Sequence, residues 1–523
     1  MEERTYLIGI DIGTSATKTA LFDISGAVVA SSSHGYPTSR PRQGYAEQDP
    51  DDWWTAAAAG VRDCMEKSGA DPRSVAAIGV DGHSWSTVML DRDGRPLCPS
   101  PIWQDSRADE IYRRLAPEFG DSLFRLSGNP LRPNYVTGKL LWFRENMPGV
   151  YRGAVAVLGT EGYLVFRLTG ALSLCRSEGY GFHFYDIMKG RFDEEAARAL
   201  GIRTDIVPPL FDGHETVGRL TRDAADACGL CPGIPVAAGG VDSACTALGA
   251  GVTDPGQTQE QGGQSGGMSI CTDRFAADPR LIFCAHVVPG RWLIQGGTTG
   301  GGGVIKWAAS EFGRYEEEMS KTSGLSVPAM FDIEARDAAP GCGGLIFLPY
   351  MAGERTPVWD PYATGVFYGM DFRKTRADFI RALMEGVGYS LLHNLDTAAA
   401  AGARPTLLRS TGGAANSLFW TQMKSDMTGL PVSVPGSDNA TNLGAAILAG
   451  TAAGVYASPE EGAKAVVKEK RRHMPDPSVR PAYMKNYEKY LEIYESLKEL
   501  MDRPAKGKTA IDTLTEKNTE TSI

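Results

Sequence analysis

The chain opens with apolar, strand-like runs that are separated by short turns. These runs cover residues 6–11, 17–22 and 27–32, and Gly13 and Gly26 lie in the turns between them. Short apolar runs bounded by glycine turns are typical of β-strands. Because no helical pattern intervenes, we expect an antiparallel meander of three strands. A Rossmann domain would instead place a helix directly after its first glycine loop, so the pattern argues against a dinucleotide-dependent oxidoreductase.

Helical and strand-like patterns alternate through the rest of the chain. The predicted helices cover residues 52–66, 160–168, 242–249, 376–392, 417–428 and 442–453. The predicted strands cover residues 75–80, 236–240, 268–270, 345–348 and 406–410. Such alternation is typical of layered α/β domains, so an α/β fold class is predicted.

The pattern restarts near residue 255, where a second glycine-rich loop, residues 259–267, precedes an apolar run. A chain of 523 residues also exceeds what one hydrophobic core usually organises. We therefore predict two related domains, residues 1–253 and 254–500, that face each other across a cleft. The Lys-, Thr- and Glu-rich composition of residues 501–523 predicts a disordered tail.

Charge and cysteine content exclude several classes of partner. A formal net charge of −10 without a basic block offers no electrostatic footprint for nucleic acid or for an anionic membrane surface. No apolar stretch approaches the roughly 20 residues that span a bilayer, and the charged N-terminus is unlike a signal peptide. Nine scattered cysteines fit a cytoplasmic protein. Cys228 and Cys231 form a lone CxxC without the second pair that a zinc site needs, which favours free thiols in a turn.

The first glycine loop has the chemistry of a phosphate site. Gly13 lets the backbone come close to a phosphate, and the hydroxyls of Thr14 and Ser15 can donate to its oxygens. Lys18 follows in the second predicted strand. Asp11, at the end of the first strand, is a candidate Mg²⁺ ligand that acts through water. The structural alternative is an ordinary hairpin with an acid at its mouth.

Two later clusters share this chemistry. Residues 262–267 form a second glycine loop, and residues 410–416 join a predicted strand to a predicted helix, where flat glycine backbone can accept a nucleotide. Each cluster by itself is equally typical of a plain turn. Three in one chain, two of which open half-domains, favour a nucleotide site. The ATP-binding candidates are Gly13, Thr14, Ser15, Lys18, Gly263, Gln264, Ser265, Gly302, Gly412, Gly413, Ala414 and Asn416.

Asp242 and a polar group before residue 110 are the other candidate site residues. Asp242 follows a predicted strand and begins a helix, where an aspartate is most often an N-cap but can also take a proton from an attacking hydroxyl. Trp103, Asp105 and Arg107 combine an aromatic face with hydrogen-bonding groups, as a site for a polyhydroxylated ligand requires. A capped helix with a half-buried tryptophan and a surface ion pair is the structural alternative. His83 by itself is more typical of a structural histidine.

Taken in order, several segments resemble the FGGY family of carbohydrate kinases. The segments that carry the resemblance are 11–15, 102–107, 239–242, 348–357 and 410–414. Residues 365–385 are similar to the C-terminal signature of the family, and residues 411–426 are similar to its adenosine-site segment. The resemblance runs from about residue 5 to about residue 490, and the ordered set is far more specific than any one motif.

The resemblance implies a two-domain actin-like ATPase (ribonuclease H-like) fold with a deep interdomain cleft. It implies ATP as co-substrate, Mg²⁺ as cofactor and Asp242 as the catalytic base. By the same resemblance, the residues that face the sugar are His83, Ser84, Trp85, Trp103, Asp105, Arg107 and Ser243. The implied reaction transfers the γ-phosphoryl group of ATP to a hydroxyl of a small sugar. Segments outside the pocket look most like xylulokinases, so a ketopentose such as xylulose is the expected substrate.

The chain departs from the family pattern at several positions. Gln264 stands where the second phosphate loop of the family has threonine, and residues 82–85 read Gly-His-Ser-Trp where xylulokinases have Gly-Gln-Met-His. Asp81 is more like the ribulokinase and rhamnulokinase branches, and Ser243 replaces an asparagine or glutamine. Ribulose, rhamnulose, another ketose, a polyol or an aldonate therefore stay open as substrates. A non-catalytic or chaperone-like actin-fold ATPase is the alternative from another class, and a homodimer is an open alternative to a monomer.

Overall fold

A computed structural model describes residues 5–501 of the protein. The strands are β1 (Tyr6–Ile12), β2 (Ala16–Asp23), β3 (Val28–Gly35), β4 (Glu47–Gln48), β5 (Val75–Gly82), β6 (Val88–Leu90), β7 (Ser100–Pro101), β8 (Ala156–Leu158), β9 (Leu174–Cys175), β10 (Tyr185–Asp186), β11 (Arg191–Phe192), β12 (Leu210–Phe211), β13 (Thr216–Arg219), β14 (Pro235–Ala237), β15 (Gly240–Val241), β16 (Gln257–Gly262), β17 (Gly266–Thr272), β18 (Ile282–Ala285), β19 (Trp292–Thr298), β20 (Ile346–Leu348), β21 (Val366–Tyr368), β22 (Leu407–Thr411), β23 (Val432–Pro435) and β24 (Glu469–His473).

An α-helix lies at each of the six segments predicted to be helical, and ten further α-helices of residues 5–501 lie outside those segments. They are α1 (Pro50–Ser68), α2 (Asp109–Ser127), α3 (Val136–Asn146), α4 (Pro148–Gly153), α5 (Thr160–Thr169), α6 (Glu194–Ala199), α7 (Arg222–Cys228), α8 (Asp242–Gly249), α9 (Gly302–Phe312), α10 (Arg314–Ser323), α11 (Val327–Ala335), α12 (Arg376–Ala400), α13 (Leu418–Thr428), α14 (Ala440–Ala452), α15 (Pro459–Val466) and α16 (Arg480–Leu497). The tail predicted for residues 501–523 lies, apart from Met501, outside the described residues.

Two sheets share one connectivity. In the first sheet the order is β13-β14-β5-β1-β2-β3, with the predicted antiparallel meander at one side, and β1, β5 and β14 run parallel. In the second sheet the order is β18-β19-β17-β16-β22-β23-β24, with β19, β17 and β16 antiparallel and β16, β22 and β23 parallel. The repeat supports two related halves. Each half carries a glycine loop at the same place, between the two strands of an antiparallel hairpin.

The strand predicted for residues 236–240 is divided into two. β14 ends at Ala237, and the backbone turns at Gly239, which has a φ of 79°. A side chain there would meet the carbonyl oxygen of Val80 at 2.0 Å, so both the conformation and the space require glycine. The chain then re-enters the sheet as β15, and this break places Asp242 at the start of α8.

Helix α14 belongs to the second half by sequence, but it packs on the first sheet. It lies against β1, β5 and α8. Asn442 donates hydrogen bonds from its side-chain amide to the carbonyl oxygens of Gly9 and Lys18. One apolar cluster therefore runs through both halves and includes Leu7 of β1 and Ile447 of α14. The two halves are joined by packing as well as by the chain.

Glycines allow the backbones to approach closely at this crossing. A Cβ at Gly249 of α8 would lie 1.8 Å from the carbonyl oxygen of Ala440, and one at Gly444 of α14 would lie 1.9 Å from that of Cys245. Strand β5, which faces α14, also has a glycine at the point of contact. At Gly79 the equivalent distance to the Ala445 oxygen is 1.9 Å. Side chains at these positions would force the helices apart.

Two of the sequence predictions concern the state of the cysteines and the presence of membrane-spanning segments. Cys228 is the last residue of α7 and is buried there rather than in a turn, Cys231 is half-buried in the segment that follows, and all nine cysteines are free. Within residues 5–501, no helix combines the length and apolar character needed to cross a membrane.

Replacing Gly444 by alanine should destabilise the fold. The added methyl group collides with backbone, which cannot rotate away, so we expect the free energy of unfolding to fall by at least about 1–3 kcal/mol. Gly120→Ala is the matched control, because nothing lies within 4 Å of a Cβ there and alanine favours the helix by roughly 0.5–1 kcal/mol. Urea unfolding followed by circular dichroism measures both variants. Equal midpoints for the two variants would contradict the close crossing.

Candidate active site

A cavity of about 400 Å³ lies between the two sheets. The ends of β1, β5 and β15 approach it from the first half, and the second glycine loop and β19 approach it from the other half. The sequence-predicted residues in its wall are Asp11, Gly13, Thr14, Lys18, His83, Ser84, Trp85, Trp103, Asp242, Ser243 and Ser265. The fold therefore brings residues that lie far apart in the sequence to one cavity. Ser15 is exposed and lies outside this wall.

Three carboxyl groups meet at the ends of neighbouring parallel strands. Asp11 and Asp81 are register partners on β1 and β5, and Gly240, two residues before Asp242, is also a register partner of Asp81. Burial raises the pKa of Asp11, although Lys18 lies 3.3 Å away and opposes the shift. Burial and the charges of Asp11 and Asp242 raise the pKa of Asp81 well above its usual range. Such a cluster favours protons or a cation.

These carboxylates fit a magnesium ion that is held together with phosphate. Among residues 5–501, no group of three or more His, Cys, Asp or Glu side chains forms a complete metal site. Mg²⁺ typically takes only one or two protein carboxylates and fills its shell with water and substrate phosphates. The buried carboxylate of Asp11, beside the first glycine loop, meets that requirement.

Asp242 is the first residue of α8 rather than its N-cap. Val241 holds the cap position, and one carboxylate oxygen of Asp242 accepts a hydrogen bond from the backbone N–H of Ser243 at 2.6 Å. Burial, with a contribution from Asp11, raises the pKa of Asp242 to about 7. A carboxylate of that basicity is suited to accept a proton near neutral pH. The N-cap interpretation is replaced by a half-buried carboxylate with a raised pKa at the cavity.

The first glycine loop is held in place by side chains from outside it. Trp103 donates from its indole N–H to the hydroxyl oxygen of Thr14 at 2.9 Å, and Gln48 donates to the Thr14 carbonyl at 2.6 Å. Tyr36 donates to the Gly13 carbonyl at 2.5 Å. The indole bond uses a lone pair of the Thr14 hydroxyl, so the hydroxyl proton stays available to an anion. Trp103 thus connects the loop with the opposite wall of the cavity.

The segment after β5 forms a tightly held wall. Trp85 has a φ of 64°, the left-handed region that a bulky residue rarely adopts. Its N–H donates to Glu178 at 2.8 Å, and its carbonyl accepts a bond of 2.7 Å from Lys139, which also bonds the carbonyl of Ile102 at 2.8 Å. Glu178 and Lys139 are fully buried. Lys139 therefore ties the segment that contains Trp85 to the segment that contains Trp103.

His83 and Ser84 complete this wall. Burial and nearby Lys139 lower the pKa of His83 to about 3, so the ring is neutral. Its Nδ1 faces the hydroxyl of Thr160, while its buried Nε2 has no partner in the described structure. Tyr180 donates to the Ser84 hydroxyl at 2.8 Å. The wall offers polar atoms within an otherwise aromatic surface.

Asp105 and Arg107 lie behind the cavity rather than in its wall. The Asp105 carboxylate accepts bonds from the backbone N–H of Ala46 and from the guanidinium of Arg107. That guanidinium also bonds Glu47 at 2.6 Å and lies 4.2 Å from the ring centroid of Tyr45. The ion pair is buried, not at the surface, and its hydrogen-bonding groups are already used. Neither side chain reaches the cavity, so Asp105 and Arg107 are removed from the predicted set of substrate-binding residues.

A second cavity of about 420 Å³ lies on the other side of the second glycine loop. The sequence-predicted residues in its wall are Gly263, Gln264, Gly302, Gly413, Ala414 and Asn416. Gly412, at a φ of 79°, packs against Gly262 next to this wall. Since Ser265 faces the first cavity, the loop separates an apolar pocket from the carboxylate cluster. A nucleotide can place its base in the pocket and its phosphates across the loop.

Sequence reasoning missed several residues of the first cavity. They are Tyr180, Thr246, Gln261, Ile282, Gln295, Arg355 and Thr441. The sequence contains a signal for Arg355, because this residue belongs to the segment 348–357 that carries part of the family resemblance. Gln295 lies inside β19 with no motif around it, and only the packing of the sheets brings it to the cleft.

Comparisons with known proteins agree with this geometry. Two family models match, the N-terminal domain of the FGGY family of carbohydrate kinases over residues 6–249 and its C-terminal domain over residues 280–453. The xylulose kinase of Escherichia coli (strain K12) is 32% identical over 502 residues, which cover 94% of this chain and 99% of the relative.

Two solved structures are similar along nearly the whole chain. A ligand-bound xylulose kinase from Lactobacillus acidophilus superposes with a TM-score of 0.85 at 26% identity, covering 94% of this chain and 98% of that one. A gluconate kinase from the same organism gives the same TM-score, identity and coverage. These similarities confirm the predicted two-domain actin-like ATPase fold. The protein therefore belongs to the FGGY family of carbohydrate kinases.

Proposed function

We propose that this sugar kinase phosphorylates a ketopentose, with xylulose as the first candidate, and that Asp242 is its catalytic base. As a member of the FGGY family the protein is an ATP-dependent phosphotransferase with a sugar hydroxyl as acceptor. The observation that carries the proposal is the half-buried carboxylate of Asp242, with a pKa raised to about 7, in the cavity that both glycine loops border. The similarity to xylulose kinases over nearly the whole chain supports the substrate.

The residues on either side of Asp242 suit in-line transfer. The sugar lies against Trp103 and the wall formed by His83, Ser84 and Trp85, with one hydroxyl at the carboxylate of Asp242. Asp242 accepts the hydroxyl proton as the oxygen attacks the γ-phosphorus. The nucleotide base occupies the second cavity, lined by Gly413, Ala414 and Asn416. In this proposal the sugar and the nucleotide base lie on opposite sides of the second loop, and the phosphates cross the loop to the sugar.

Both glycine loops and Lys18 hold the phosphates. Gly13 and Thr14 approach from the first half, and Gly263 and Ser265 approach from the second. Gln264 replaces the threonine of the family, but its side-chain amide can still donate to phosphate oxygen. Asp11 would hold Mg²⁺, which offsets the negative charge of the phosphates. We also place the enzyme in the cytoplasm, where ATP is available.

A coupled ADP-release screen tests the substrate. Pure protein with Mg-ATP is offered D-xylulose, L-xylulose, D- and L-ribulose, rhamnulose, fuculose, glycerol, erythritol and gluconate. We expect one pentulose to give a kcat/KM well above the rest, with D-xylulose first. A higher kcat/KM for a hexulose, polyol or aldonate would reject the ketopentose proposal and keep the kinase.

Asp242→Asn should reduce kcat by roughly 10²–10⁴-fold, because it removes the proton acceptor and almost no volume. Sugar and ATP dissociation constants, measured by calorimetry, should stay close to those of the wild type. Asp226→Asn, an exposed change in α7, is the matched control and should leave kcat unchanged. A wild-type kcat in the Asp242 variant would show that another group takes the proton.

Lys139→Met should weaken sugar binding more than ATP binding. It leaves the carbonyls of Trp85 and Ile102 buried without their donor, which lowers the free energy of unfolding by roughly 1–3 kcal/mol and frees the wall. We expect the KM for the sugar to rise roughly tenfold, while the KM for ATP changes little. Lys489→Met, on the exposed side of α16, serves as the control. Equal changes in both KM values would mean that Lys139 only supports the fold.

A further inference from the structure

Arg355 stands on the wall of the first cavity that the second half provides, and the residues on both sides of it are locked. The Glu354 carboxylate accepts bonds from the backbone N–H groups of Thr299 at 2.8 Å and Arg355 at 2.7 Å. The Thr356 hydroxyl accepts the N–H of Gly297 at 2.6 Å. The backbone of Arg355 is therefore fixed to the end of β19.

The guanidinium of Arg355 makes no hydrogen bond and no ion pair in the described part of the chain. It lines the cavity, lies beside Gly297, where a Cβ would come within 3.0 Å, and stands 5.5 Å from the ring centroid of Trp103. Within residues 5–501 no group accepts a hydrogen bond from it and no carboxylate lies within ion-pair distance. The neighbouring Glu354 is already used by backbone N–H groups and faces the hydroxyl of Ser390. Arg355 is half-buried, and burial lowers the pKa of its guanidinium.

A guanidinium in such a place is built to bind acceptor oxygens. It presents five N–H donors in a planar fork and has no acceptor of its own. Arg355 is half-buried and lines the cavity, so a ligand there can accept charge-assisted hydrogen bonds from its N–H groups. The phosphates already have the glycine loops and Lys18, whereas Arg355 is in contact with the ring of Trp103. The remaining source of oxygens is the sugar.

We propose that Arg355 is a specificity-determining residue, which binds a pair of acceptor oxygens on the end of the sugar remote from the hydroxyl that Asp242 deprotonates. This inference rests on the proposed function. Asp242 belongs to the first half and Arg355 to the second, so a sugar that reaches both is held from the two sides of the cleft. The oxygen pair is either the carbonyl and a neighbouring hydroxyl of a ketose or the carboxylate of an aldonate.

Calorimetry without nucleotide distinguishes these sources. D-xylulose and D-gluconate are titrated into the wild type, Arg355→Gln and Arg355→Lys. For a ketose we expect both variants to weaken binding roughly tenfold, because each loses the planar fork. For an aldonate we expect glutamine to weaken binding roughly 100-fold and lysine to weaken it less, because lysine keeps the charge. ATP affinity should stay unchanged in both variants.

Arg274→Gln provides the matched control, because Arg274 is an exposed arginine of the second half. Thermal unfolding and ATP titration show that each variant is folded. Unchanged sugar affinity in Arg355→Gln overturns the inference, as does a loss of kcat alone, which would assign Arg355 to the transferred phosphoryl group. Arginine-dependent binding of gluconate without binding of xylulose keeps this inference and rejects xylulose as substrate. If the wild-type protein binds neither D-xylulose nor D-gluconate, both this inference and the ketopentose proposal are rejected.

Discussion

The structure depends on one close approach of backbones, where α14 crosses α8 and lies on the first sheet. Gly249 and Gly444 let the two helices meet at carbonyl oxygens, and Gly79 lets α14 rest directly on β5. Since α14 comes from the second half of the chain, this contact holds the two halves together along the floor of the cleft. Any side chain there would separate the sheets and with them the two glycine loops.

The close packing of α14 on the first sheet has an electrostatic consequence at the ends of β1, β5 and β15. Parallel strands end at one edge, so the buried Asp11 and Asp81 and the half-buried Asp242 are brought together beside the cavity. Their carboxyl pKa values are raised, and Lys18 offsets only part of the charge. Such a cluster of carboxyl groups is unfavourable unless protons or a cation offset the charge. The raised pKa values of Asp81 and Asp242 follow from burial together with the neighbouring like charges.

The wall formed by His83, Ser84 and Trp85 also contains an unfavourable local conformation that side chains distant in the sequence stabilise. Trp85 adopts a strained left-handed conformation, which buried Glu178 and Lys139 stabilise by bonding its N–H and its carbonyl. Lys139 also bonds the carbonyl of Ile102, so one ammonium group holds both the segment with Trp85 and the segment with Trp103. The positions at which the chain differs from xylulokinases therefore lie in a wall that buried groups hold in place.

The sequence by itself determined the features that depend on neighbouring residues. The opening meander, six of the sixteen described α-helices and both glycine loops follow from local periodicity and turn residues, and the ordered motifs identified the family and its fold. Only the tertiary structure decided which side chains face the cavity. Contacts with Glu47 and Tyr45 hold the Arg107 guanidinium behind the cavity, whereas Arg355, which has no hydrogen-bond or ion-pair partner for its guanidinium among residues 5–501, lines the cavity. The reason is physical, since a charged side chain goes where distant packing leaves it a partner or an opening, and no local pattern records that choice.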